Sequence, residues 1–125
     1  MTKREYNEIL NKINQIISDR IYKKNIPSLF SKDKFDNVIW KMKVGKTKIG
    51  ICLFNYKNIN PFNEIILVIK IDNAPKSLYK HVEPFKSDYC IKGIKENIIN
   101  KIQAFLSLLT TANTNMIYKK NFHMN

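Results

Sequence analysis

Near the start of the chain Tyr6, Ile9, Leu10, Ile13, Ile16, Ile17 and Ile21 recur at the spacing of one helix face, with Lys3, Glu8, Lys12, Asn14 and Asp19 opposite. Residues 2–24 therefore read as an amphipathic helix with one side to bury. Asn25 followed by Ile26-Pro27 ends it, because the residue before a proline avoids helical backbone angles. The next stretch, 27–36 (PSLFSKDKFD), has no period and reads as a loop whose Leu29, Phe30 and Phe35 close one end of the core.

The period then becomes two. Val38, Trp40, Met42 and Val44 alternate with Ile39, Lys41 and Lys43, the pattern of a strand with one buried face. Gly45-Lys46 supplies a two-residue turn, and Lys48 to Tyr56 reads as the returning strand. This turn opposes Val44 to Thr47, Lys43 to Lys48, Met42 to Ile49, Trp40 to Ile51 and Val38 to Leu53. A slip of one residue would destroy the match of apolar positions, so the register is strongly specified. Residues 57–63 read as a longer turn and Glu64 to Asp72 as a third strand, rich in β-branched residues. Placing Tyr56 opposite Glu64 brings Leu53 to Leu67, Ile51 to Ile69 and Ile49 to Ile71.

Residues 73–90 contain Pro75 and Pro84 and no sustained period, which predicts a loop with room for a short edge strand near Leu78 to Val82. From Ile91 the helical spacing returns through Ile94, Ile98, Ile99, Ile102, Phe105, Leu106 and Leu109. A second long helix is expected to end near Ala112-Asn113, leaving 114–125 as a basic and aromatic tail. The predicted fold is α+β: an N-terminal helix, a three-stranded or four-stranded antiparallel β-meander and a long C-terminal helix, in one domain spanning 1–125.

The meander has two unlike faces. Val38, Trp40, Met42, Ile49, Ile51, Leu53, Leu67, Ile69 and Ile71 form one, which must be covered by at least one helix. The other carries Ile39, Lys41, Lys43, Lys48, Gly50, Cys52, Phe54, Tyr56, Ile66, Val68 and Lys70, apolar and aromatic at one end and basic at the other. Three arrangements are open. One helix covers each face; both helices cover the first and leave the second as a binding surface; or the second face is buried against another subunit or protein. In the second arrangement Phe54 and Tyr56 stack on bases while Lys41, Lys43, Lys46, Lys48 and Lys70 hold phosphates.

Charge sharpens this picture and must then be discounted. The formal net charge is +12, from 22 bases and 10 acids, a balance that favours polyanionic partners. However, 20 Lys, 20 Ile and 16 Asn make up 56 of the 125 residues, and these are amino acids of AT-rich codons. Arginine, the residue of bidentate phosphate and guanine recognition, occurs twice. Nucleic-acid binding is thus expected to act through the backbone and to be salt-sensitive. Net charge is +7 over residues 1–48, +1 over 49–90 and +4 over 91–125, which sets the positive field on the first hairpin and the helices.

Other chemistry is weakly signalled. Gly45-Lys46-Thr47 resembles the end of a phosphate-binding loop, but Trp40 stands where that motif needs its first glycine, and the turn joins two strands. Cys52 and Cys90 fit no zinc spacing and are expected to be free thiols, Cys90 at a helix start. His81, Glu83, Asp88 and Cys90 crowd one lysine-rich loop, a poor setting for a cation. No glycine-framed serine or paired base points to catalysis, so a non-enzymatic protein without cofactor or metal is expected. Tyr118, Lys119, Lys120 and Phe122 give the tail a further polyanion-binding character. The longest apolar run, Ile65 to Ile69, is far below the roughly 20 residues of a membrane span. The N-terminal MTKREYNEIL lacks the apolar region of a secretory signal, and an intracellular, soluble protein is expected.

The order helix, three-stranded meander, helix resembles that of the Alu-RNA-binding subunits of the signal recognition particle, whose sheet contacts RNA. It is also similar to the order in RWD domains, which are protein-interaction modules, although Asp72-Asn73-Ala74-Pro75 does not carry their tyrosine-proline signature. Both likenesses concern element order and transfer no site residue. The function expected is binding of a negatively charged partner, foremost nucleic acid. The alternative is a protein-interaction module, an assembly subunit or a virus- or phage-encoded inhibitor, acting through the apolar part of the second face or forming a homodimer there.

Overall fold

The computed structural model describes residues 2–58, 64–73 and 89–123. Helix α1 (Lys3–Ile17) starts at a reciprocal cap: Thr2 Oγ1 accepts from the Glu5 N–H at 3.2 Å, and the Glu5 carboxylate accepts from the Thr2 N–H at 3.4 Å. The cap supplies partners that the first helical turn leaves missing. Ser18–Tyr22 continue as a wider π turn, which Lys23 stops by entering the left-handed region at φ 55°.

Five antiparallel strands follow in sequential order: β1 (Phe30–Lys32), β2 (Val38–Val44), β3 (Thr47–Leu53), β4 (Ile65–Asp72) and β5 (Tyr89–Gly93). The β2–β3 register runs from Val44 opposite Thr47 to Val38 opposite Leu53, and β3–β4 sets Ile49, Ile51 and Leu53 against Ile71, Ile69 and Leu67, as the sequence pattern predicts. Gly45, at φ 61°, takes the first turn position, where a tight hairpin needs a positive angle. Strand β3 ends at Leu53, so Tyr56 does not oppose Glu64; it opens a 3-10 turn, Tyr56–Asn58.

Two strands escape the periodicity. Strand β1 lies in the stretch read as a loop, and β5 occupies residues assigned to a loop and a helix start. The cause at β5 is a coincidence of spacing. Ile91 fits the helical series with Ile98 but reaches the core from a strand, where it pairs with Leu67 and is buried, while Ile94 is 64% exposed. Helix α2 (Lys95–His123) therefore begins four residues late and runs past Ala112-Asn113. The edge strand expected near Leu78 to Val82 lies outside the described residues.

Both helices lie on the same face of the sheet. Tyr6, Ile9, Ile13 and Ile17 of α1 and Ile98, Ile102, Phe105, Leu106 and Leu109 of α2 join one core with Val38, Trp40, Ile51, Leu53, Leu67 and Ile69. Leu29 and Phe30 pack against its edge, but Phe35 is 63% exposed and closes nothing.

Asn14, expected on the solvent side, is buried and joins α1 to the sheet. Its Nδ2 donates to the carbonyls of Ile26 (2.8 Å) and Pro27 (3.2 Å). Its Oδ1 accepts from the Leu29 N–H (3.2 Å) and from Trp40 Nε1 (3.1 Å). Ser18, one turn on, adds a bond from Oγ to the Ile26 carbonyl at 3.1 Å. Two polar side chains thus satisfy the backbone where the chain leaves the helix and enters β1.

Candidate functional site

Alternate strand residues point to opposite faces, so the pairings lay out the face turned away from the helices. One row crosses all five strands: Ser31, Ile39, Cys52, Val68 and Cys90. Toward the β2–β3 turn come Lys41, Gly50 and Lys70, and then Lys43, Lys48 and Asp72. In the other direction Ile66 pairs with Lys92, and the Phe54 N–H donates to the Ile66 carbonyl at 3.0 Å. Ile39, Cys52, Phe54, Ile66 and Val68 are half-buried and none belongs to the core. The arrangement with one helix on each face is not the one found.

Lys41, Lys43, Lys46, Lys48 and Lys70 are all exposed, and four of them stand on paired strands. Lys46 sits in the turn, which is fastened to the end of β4. Buried Thr47 donates from Oγ1 to the Asn73 carbonyl at 3.2 Å, and Asn73 Nδ2 donates to the Lys46 carbonyl at 3.1 Å. Asn73 makes both contacts from the left-handed region, at φ 60°, which asparagine tolerates well. Lys43 directly opposes Lys48, a like-charge pair that costs up to about 1 kcal/mol. Among the described residues, Lys41, Lys43, Lys46 and Lys48 form no ion pair; Asp72, opposite Lys48, is the acid within these rows. A concavity of about 570 Å³ at this end of the sheet is lined by Lys41, Lys43, Lys48, Lys70 and Gly50, and also by Tyr22 and Asp72. Its wall includes Met42 and Ile71, whose side chains belong to the other face, so it opens around the end of the sheet.

The aromatic end differs from expectation at Tyr56. Its ring lies 5.4 Å from that of Tyr6, tilted 45°, and packs against the core, so it is not available on the second face. Burial pushes the Tyr6 hydroxyl up to about 12, with Cys52, Asp33 and Asp36 adding to the effect, and among the described residues that hydroxyl has no hydrogen-bond partner. Phe54 lies one residue past β3, where its N–H still bonds the Ile66 carbonyl, and is half-buried. Phe35, expected in the core, is exposed, with Lys34 Nζ 5.1 Å over its ring. Its polar setting, Asp33-Lys34-Phe35-Asp36, was the available signal.

Phe35 is carried on a hydrogen-bonded loop. Asp33 Oδ1 accepts from the N–H groups of Phe35 (2.8 Å) and Asn37 (3.0 Å), and Oδ2 accepts from Asn37 Nδ2 (3.1 Å). Asn37 Oδ1 in turn accepts from the Asn55 N–H at 2.8 Å, and Asn55 Nδ2 donates to the Phe35 carbonyl at 3.3 Å, joining this loop to the end of β3. Desolvation pushes the Asp33 carboxyl up, but these hydrogen bonds, helped by Lys34, outweigh it and hold the group below the ordinary 3.8. A depressed carboxyl stabilises the fold above its unfolded value and loses that contribution as pH falls through the folded one. Asp33→Asn is accordingly expected to melt with a smaller loss than the parent chain between about pH 5 and pH 2, and equal losses would count against this role.

Cys52 and Cys90 flank Val68 in one row, about 9.5 Å apart at two strand spacings, too far for a disulfide, and both are free thiols. Cys90 lies in β5, not at a helix start. Burial, with Asp33 adding and Lys70 opposing, pushes the Cys52 thiol up. Gly45-Lys46-Thr47 is a hairpin turn between two strands. His81, Glu83 and Asp88 lie outside the described residues, and among the described residues no group of His, Cys, Asp or Glu is placed to hold a metal. The backbone of Tyr118, Lys119, Lys120 and Phe122 belongs to α2. No helix among the described residues is long and apolar enough to cross a membrane. Comparison with protein families, with curated proteins and with solved structures finds no match to this chain.

Proposed function

We propose that this protein is a small non-enzymatic nucleic-acid-binding protein that holds the phosphate backbone through Lys41, Lys43, Lys46, Lys48 and Lys70. The observation that carries this reading is the gathering of five exposed lysines at one end of the sheet face turned away from α1 and α2, with Lys43 set directly against Lys48. Mutual repulsion there is relieved by a polyanion, and each ammonium that meets a phosphate releases a condensed counterion. Lysine is a point charge without a planar fork, so contacts of this kind position the backbone more than they read bases. Phe54 and the exposed Phe35 are suited to stacking on unpaired bases.

The test is fluorescence anisotropy with labelled single-stranded RNA, single-stranded DNA and duplex DNA at about 50 and 200 mM salt. Submicromolar binding is expected at the lower salt. Four or five phosphate contacts to a single strand predict a loss of roughly 50- to 130-fold at the higher salt. Absence of binding at the lower salt would refute the proposal. A second reading draws on the half-buried apolar group of Ile39, Phe54, Ile66 and Val68, an area on which another protein or a second copy of the chain can dock.

A further inference from the structure

The chain has three glycines, and two have evident local reasons. Gly45 takes the positive angle of the hairpin turn, and a Cβ on Gly93 would lie 2.6 Å from Asn97 Nδ2. Gly50 has neither reason. It lies inside the central strand at an angle open to any residue, and no described atom lies within 4 Å of where its Cβ would stand. Glycine weakens a strand interior, and there it often marks a bulge, a bend or the close approach of a ligand or another backbone; the pairing through Gly50 is unbroken on both sides, so no bulge accounts for it. Its neighbours are suggestive: Lys41 and Lys70 oppose it from either side, and Lys43 and Lys48 form the next row.

We propose that Gly50 is the floor of a phosphate seat and that the ligand is a single nucleic-acid strand laid along β3, one phosphodiester resting between Lys41 and Lys70. This rests on the nucleic-acid reading above and names the ligand class for the same face. The two flanking strands put the Cα atoms of Lys41 and Lys70 about 10 Å apart, a gap that a phosphate enters when no side chain rises from position 50. Lys48, Gly50, Cys52 and Phe54 succeed one another along the same line at about 6.6 Å steps, comparable to the phosphate repeat of an extended strand. A strand seated at Gly50 thereby brings a base to Phe54, and only an unpaired base offers its face for stacking.

The experiment compares the parent chain with Gly50→Val and Gly50→Ala, by thermal melting and by anisotropy with a labelled single-stranded DNA of about 20 nucleotides and its duplex. Valine favours the strand and a Cβ at position 50 has nothing within 4 Å, so the variant is expected to melt no lower than the parent. Its affinity for the single strand is expected to fall about tenfold or more, with a salt slope shallower by about one phosphate contact. The parent is expected to prefer the single strand to the duplex. A valine variant that binds as tightly as the parent overturns the seat and leaves the lysine reading standing. A parent that prefers duplex overturns the single-strand assignment, and a parent that binds neither overturns seat and nucleic-acid reading together. If valine lowers the melting temperature, alanine decides: weaker binding at unchanged melting supports the seat, and unchanged binding overturns it.

Discussion

Replacing Lys41, Lys43, Lys46 and Lys48 together with glutamate is expected to abolish nucleic-acid binding and leave the fold intact. The four side chains are exposed and form no ion pair among the described residues, so their loss removes no packing. Exposed substitutions of this kind usually change stability by less than about 0.5 kcal/mol each. Position 43 still opposes position 48, and Glu against Glu repels much as Lys against Lys does, while K48E also faces Asp72 and adds a cost of up to about 1 kcal/mol. The effect on binding is far larger, because four counterion-releasing contacts are replaced by four charges that repel phosphate. A loss of at least about a thousandfold at low salt, or about 4 kcal/mol, is expected in the anisotropy assay. A quadruple variant that binds like the parent would remove the hairpin from the interface. The protein-interaction reading makes the reverse prediction. Under it the quadruple variant keeps its partner, and Phe54→Asp or Ile66→Asp loses it, provided that each melts near the parent temperature.

Asn14→Leu is expected to be the most damaging single change to the fold, costing about 3 kcal/mol. Leucine fills the volume but offers no hydrogen bond. Trp40 Nε1, the Leu29 N–H and the Pro27 carbonyl all lose the partner shown here, while the Ile26 carbonyl keeps Ser18. An unsatisfied buried group costs about 1–3 kcal/mol, and the part-buried sites among these can recruit water, which argues for the lower end at each. Against a typical total of about 5–15 kcal/mol the loss is severe. Urea denaturation followed by fluorescence of Trp40, the single tryptophan, measures it directly. A loss below about 1 kcal/mol would show that the Asn14 bonds add little beyond what water supplies.

Asn14 also shows how a legible signal is misread. Leu10, Asn14, Ile17 and Ser18 stand at helical intervals of three and four, and all four are buried. Their spacing placed Asn14 among apolar residues; its chemistry assigned it to solvent. Phe35 is the opposite error, an aromatic given to the core because it is aromatic. At Tyr56 the mistake was geometric. Extending β3 by parity carried the residue onto the second face, whereas the strand stops at Leu53 and the following turn delivers the ring to Tyr6. The lysines fared differently, since Lys41, Lys43, Lys48 and Lys70 lie within strands whose parity is maintained from end to end.

Local sequence was sufficient where two independent constraints agreed. The alternation of Val38 to Val44 and of Thr47 to Leu53, joined by Gly45-Lys46, admits one register, because any slip exposes a whole apolar row. The period of α1 and the apolar series from Ile98 to Leu109 likewise fixed two helices and the faces they bury. Strands β1 and β5 were beyond such reasoning. A strand of three or five residues carries too little alternation to stand above chance, and it exists because a neighbour offers unpaired backbone groups. The side of the sheet on which the helices lie was also a tertiary decision. Either face has apolar residues enough to attract a helix, but α1 and α2 pack on each other as well as on the sheet, and one face suffices for both. That choice turns both α1 and α2 away from the lysine-bearing face, the surface on which the proposed function depends.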